Sequence, residues 1–311
     1  MPGFLSHYIA GQAVLNSMTP DIKNILKHGE RLYNLGAQGP DIFFYCLPGI
    51  IRKSSRGVGS EMHQCDLGIF ITRMAHLAKN TAKNERDTVF TYTAGLIMHY
   101  ALDVHAHPYV YSQTYNQNAP KIKNSADHRV FETALDIALL KLVCDKTPAD
   151  YHQWELINAE FSQLAIAATA MSKALMSVYK RQIPPQNVYQ AMRHMIHLTR
   201  ILRSRKGRRK KWMALAENLT VRQPIFSSMV HSQEVDSLND YLNEEKRPWK
   251  APWEGAELCT DSFIERYSHA VSEGMQNITL LYNYVYQDLS LKNLAEKLGN
   301  RSLKTGLPCG E

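Results

Sequence analysis

The stretch His99-Tyr-Ala-Leu-Asp103-Val-His105-Ala-His107-Pro108 decides how this chain is read. An α-helix turns about 100° per residue, so residues four apart differ by about 40°. His99, Asp103 and His107 therefore share one side of one helix. Their neighbours Leu96, Ile97, Ala101 and Leu102 are apolar, so the helix is expected to be buried. Ionisable groups in such a place are costly unless paired or bound to a metal. His105 points elsewhere while the helix persists. Pro108, which lacks an amide hydrogen, is expected to end the helix and can swing either His105 or His107 inward. The four-residue spacing favours His107.

A second segment, Asp127-His128-Arg-Val-Phe-Glu132, repeats the logic, with Asp136 continuing the stripe. Val130, Phe131, Ala134, Leu135 and Ile137 fill the other faces. Imidazole plus carboxylate is an ordinary zinc donor set. Asp136 reads as a residue that orients a ligand histidine, or as a surface charge. One histidine on an apolar face is ordinarily a hydrogen-bonded core residue. Two stripes that mix histidine and carboxylate ask for a cation, since each adds desolvated charge. An H-E-x-x-H protease motif is absent, and Asp127-His128 reverses the His-Asp order of the HD hydrolases.

Around these segments the periodicity is helical nearly throughout the 311 residues. Helical patterns run from Leu5 to a stop near Thr19-Pro20, then over 21–33, 63–82, 87–106, 126–144, 154–180, 185–203, 212–219 and 261–288. The last is capped by Thr260 or Asp261. Residues 36–41, 49–60 and 112–126 read as turns or loops. No repeat and no strand-rich region is visible. The expectation is one all-α, multi-helix domain over residues 1–290 and a poorly ordered tail over 291–311.

Hydrophobic residues make up 44%, enough for a substantial core, and the net charge of +7 favours anionic partners. Part of that charge is the run Arg203-Ser-Arg-Lys-Gly-Arg-Arg-Lys-Lys211, which reads as a solvated segment. No window approaches the roughly 20 apolar residues of a membrane span, and the first residues carry no secretory signal pattern. The five cysteines (Cys46, Cys65, Cys144, Cys259, Cys309) are scattered, with no C-x-x-C pair. They read as free thiols in a reducing, cytoplasmic setting.

Taken together, Ser6-His7-Tyr8, Gly39-Pro40-Asp41, Met62-His63, His99-Tyr100-x-x-Asp103 with His107-Pro108-Tyr109, and His128-x-x-x-Glu132 resemble the zinc-dependent phospholipase C family. Its fold is shared with single-strand-specific zinc nucleases. The resemblance covers roughly the first 136 residues. It implies two or three Zn2+ ions: one on Asp41, His63 and His99 with Asp103 bridging, a second on His107, His128 and Glu132, and a third on His7 and Asp103. The family's N-terminal tryptophan has no counterpart here, which puts the His7 site in question and leaves a core role open for His7. Asp41 is the candidate catalytic base or orienting carboxylate; otherwise it is a turn residue. The implied activity is phosphodiester hydrolysis, with a phospholipid as the leading substrate and transient contact with a membrane surface. Phe43, Phe44, Tyr45, Tyr109 and Tyr111 either line a head-group site or pack in the core. Alternatives are a nuclease, with nucleic acid held by the basic run, and a metal-binding helical protein without turnover.

Overall fold

The computed structural model describes residues 3–45, 57–119, 121–202 and 239–310. The basic run, the helix expected over 212–219 and Cys46 lie outside these. Among the described residues the protein is all-α, apart from a two-residue antiparallel pair, Trp249–Lys250 with Leu258–Cys259.

Helix α6, Lys83–Thr114, is the axis of the fold. It is buried on every face from Val89 to Val104, so other helices must enclose it. Those packed on it include α1 (Phe4–Ser17), α3 (Glu30–Gly36), α5 (Leu67–Asn80), α7 (Lys121–Cys144), α9 (Phe161–Tyr179) and α11 (Phe263–Tyr286). Helices α8 (Gln153–Ile157) and α10 (Pro185–Leu202) close one flank. Helix α3 meets α6 backbone to backbone. A Cβ on Gly95 would stand 2.3 Å from the Tyr33 carbonyl oxygen, and one on Gly36 would stand 2.4 Å from that of Tyr92.

Several expected boundaries shift, each for a local reason. The helix expected over 21–33 breaks at Gly29 into α2 (Pro20–His28) and α3. The one expected over 63–82 breaks at Asp66, which adopts φ 67°, into α4 (Val58–Gln64) and α5. The segment 154–180 divides into α8 and α9. Ser262, rather than Asp261 or Thr260, caps α11: its side chain accepts from the Glu265 amide, and Glu265 returns a bond to the Ser262 amide. Pro108 does not end α6, which runs on to Thr114.

The tail is also ordered, contrary to expectation. Ser290 caps α12 (Leu291–Leu298), whose Leu294 and Leu298 are buried. Beyond it Arg301 pairs with Pro308 in a β-bridge, and Leu303 is fully buried. Cys309 forms a disulfide with Cys65 across 244 residues of sequence. The expectation of free thiols fails for this pair, because folding brings distant cysteines together. It stands for Cys144 and Cys259. The cysteine argument for a reducing compartment loses its footing with it. No helix among the described residues is long and apolar enough to cross a membrane.

Candidate metal centre

Five histidines and three carboxylates, drawn from five elements, converge along α6. Helix α1 brings His7, the 3-10 turn Gly39–Phe43 brings Asp41, and α4 brings His63. Helix α6 contributes His99, Asp103 and His107 from one stripe, and α7 adds His128 and Glu132. Every residue expected at the site is therefore brought to it. His105 faces away and pairs with Glu273 of α11 at 2.8 Å.

Asp103 lies at the centre with no exposed surface. One of its oxygens stands 3.3 Å from His7 Nε2. The other stands 3.1 Å from His99 Nε2 and 3.7 Å from His63 Nε2. His63 Nε2 is also 3.3 Å from Asp41 Oδ1. None of these approaches has hydrogen-bond alignment: both Asp103 oxygens, Asp41 Oδ1 and the Nε2 atoms of His7, His63, His99 and His107 are buried without a hydrogen-bond partner. Buried polar atoms are rarely left in that state.

The far sides of the rings explain why. His99 Nδ1 donates to the Ala37 carbonyl at 3.2 Å, His63 Nδ1 to Gly59 at 2.6 Å, and His107 Nδ1 to Leu303 at 2.5 Å. A proton committed at Nδ1 leaves Nε2 as a bare lone pair. Three lone pairs are thus aimed at carboxylates that are themselves acceptors. Such an arrangement is repulsive alone and favourable around a cation. Two ligands held about 2.0–2.1 Å from a tetrahedral zinc stand about 3.4 Å apart, and the separations above bracket that value. The residues present fit zinc.

The donor atoms form three groups, each within 4.8 Å: His7, Asp41 and His99; His63, His99 and Asp103; His107, His128 and Glu132. The first two share His99 and make an inner half. The third makes an outer half, where His107 Nε2 stands 3.9 Å from Glu132 Oε1. There His128 Nε2 lies 2.7 Å from Glu132, a hydrogen-bond distance.

Electrostatics follow the burial. Burial opposes ionisation of Asp103, yet His99 and His107 beside it hold its carboxyl well below the usual range. Burial pulls His99 down as well, but Asp103 wins and leaves it above its ordinary value. Burial keeps His107 and His128 well below theirs, and His7 below, with His99 adding to the effect on His7. The shifts of His7, His107, His128 and Asp103 favour neutral imidazole and ionised carboxylate, the forms a divalent cation requires, whereas the metal-free pairing with Asp103 favours a proton on His99 that a cation would displace.

Supporting groups escaped the sequence reading. Asp136 was expected to orient a histidine or to sit on the surface. It is fully buried and receives the amides of Leu5 and Ser6 at 2.9 and 2.8 Å and the Ser6 hydroxyl at 2.6 Å. A carboxylate from α7 thus caps α1, whose own N-cap, Gly3, has no side chain to offer. The carbonyls of Ala37 and Leu303 carry no side-chain signal at all. Of the nearby aromatics, Phe43 and Tyr109 are buried in the core. Phe44 is 45% exposed, with its ring 5.3 Å from that of His63, and Tyr111 lies 4.7 Å from His128 and 6.2 Å from Trp253.

No curated protein and no solved structure matches the chain. A family model described as zinc dependent phospholipase C matches residues 6–181, more than half of the sequence and every donor residue named above. The chain belongs to the zinc-dependent phospholipase C family.

Proposed function

We propose that this protein is a zinc-dependent phosphodiester hydrolase of the phospholipase C type, which uses a water molecule to release the phosphorylated head group of a phospholipid. The observation that carries the reading is the set of buried Nε2 lone pairs of His63, His99 and His107, each fixed by an Nδ1–H bond to a backbone carbonyl. Zinc supplies Lewis-acid stabilisation of phosphoryl oxygens and lowers the pKa of a bound water to about 7.

The remaining roles belong to side chains. Asp103 holds the inner half together, with one oxygen toward His7 and the other toward His63 and His99. Asp41 retains slight exposure where Asp103 has none, which suits it to accept a proton from the attacking water. Phe44 and Tyr111, at the edge of the donor cluster, suit a quaternary ammonium head group through their ring faces.

Protein purified without chelator is to be analysed for zinc, then assayed on phosphatidylcholine vesicles and on single-stranded DNA, with and without added zinc. More than one zinc per chain and zinc-dependent release of phosphocholine are expected. Cleavage of DNA alone makes the protein a nuclease, and bound zinc without turnover makes it a metal-binding scaffold. A protein that takes up no zinc removes the proposal.

A further inference from the structure

All donor residues lie within the span matched by the family model, but one group that orients them does not. Residues 299–309 leave α12, cross α6 and return. The loop is closed on itself by bonds from the Ser302 amide to the Leu307 carbonyl, from Gly306 to Ser302 and from Cys309 to Asn300, each 2.9 Å. Three anchors dock it. At its start, the Asn300 side chain donates to Asp66 at 3.0 Å, the Arg301 amide donates to the Tyr100 hydroxyl at 2.8 Å, and the Arg301 guanidinium pairs with Glu273. In its middle, the buried Leu303 presents its carbonyl to His107. At its end, Cys309 is bonded to Cys65, two residues beyond His63.

The loop also packs against α6 where the helix passes through Pro108. A proline leaves the carbonyl four residues earlier without its helical donor; here that residue is Val104. Gly306 lies against it. A Cβ at Gly306 would stand 2.6 Å from the Val104 carbonyl oxygen and 3.4 Å from the Pro108 ring, and the residue adopts φ 70°. Only glycine meets both conditions without strain.

We propose that residues 299–309 are a positioning strap of the metal centre: docked on α6 at Pro108, they fix the His107 ring through the Leu303 carbonyl and tether the end of the His63 helix through Cys65–Cys309. The inference rests on the zinc reading above. A carbonyl on Nδ1–H fixes both tautomer and ring angle, and loss of such a partner costs about 10–100-fold in metal affinity.

The test uses the full chain. Zinc affinity is measured by competition with a chromogenic chelator, and a long-range proton–nitrogen NMR spectrum of the zinc-loaded protein reports the His107 Nδ1 proton. Gly306→Val lifts the strap while leaving every donor in place. It is expected to weaken the outer ion by about 10–100-fold, to spare the inner ions and to remove the downfield Nδ1 proton signal. Cys309→Ser cuts the tether at a partly exposed position. It is expected to speed zinc loss to the chelator several-fold, with unchanged far-ultraviolet circular dichroism. Cys144→Ser, a free cysteine elsewhere, should behave as wild type. If Gly306→Val does not fold, the Cys309→Ser result decides. Variants that keep wild-type zinc retention and the His107 signal overturn the strap and leave the zinc reading standing. Wild-type protein that binds no zinc overturns both.

Discussion

The two halves of the candidate metal centre are built differently. The inner half is closed, with His7, His99 and Asp103 wholly shielded from solvent, and its oriented rings lean on carbonyls of the first 60 residues: Gly59, four residues from His63, and Ala37, 62 residues from His99. The outer half is more open, with the His128 side chain 15% exposed, and its His107 leans on Leu303, 196 residues away. The inner half thus needs only α1, the 3-10 turn Gly39–Phe43, α4 and α6 to meet. The outer half waits for the end of the chain. Burial depth and the reach of the supporting contacts separate a core site from one that depends on a late-docking segment.

That contrast can be broken at its centre first. Asp103→Asn removes the charge shared by three histidines. Disrupting a buried charge set of this kind costs about 3–5 kcal/mol, or about two to four orders of magnitude in binding. Inner zinc and hydrolysis should both be lost while the outer ion remains, as elemental analysis would show. Equal loss of all ions would mean that the halves are not separable. Glu132→Gln should do the reverse and remove one ion per chain while leaving the inner set; unchanged stoichiometry would remove Glu132 from the donors.

Acid sharpens the comparison more gently. Burial holds His107, His128 and His7 below 6.5 in the metal-free protein. As pH falls through that value, the unfolded chain takes up protons that these folded histidines refuse, so stability falls. His99, raised by Asp103, works in the opposite sense and softens the loss. The depressed Asp103 matters only at lower pH, below the usual carboxylate range. Calorimetry of chelator-treated protein should show a midpoint that drops between pH 7.5 and pH 5; a rise would contradict this balance. The smallest effect is expected from Asp136→Asn, since a helix cap contributes about 1 kcal/mol. It should lower the melting midpoint by a few degrees and loosen zinc only at the His7 end. Loss of the outer ion instead would place Asp136 with the other half.

Much of the centre was legible because its spacing is local. His99, Asp103 and His107 sit four apart, as do His128 and Glu132, and a helix converts that count into a shared face whatever surrounds it. What stayed hidden depends on tertiary contact. Pro108 signals a helix end until Gly306 is known to lie beside Val104. Cys65 and Cys309 look unpaired at a separation of 244 residues. Asp136 reads as an orienting partner or a surface charge, because nothing in its own helix reveals the uncapped amides of α1. The break at Gly29 and the cap at Ser262 moved boundaries by only a few residues and left the donor set unchanged.

The contact of Gly36 with Gly95 fixes more than helix spacing. Where α3 meets α6, main chain touches main chain, so the interface has no rotamers that can yield. The same stretch delivers Ala37 to His99 and, just beyond, Asp41 to His63. Shifting Asp41 or the Ala37 carbonyl relative to α6 would therefore require peptide units to slide over peptide units, a motion that the two glycines leave no room for.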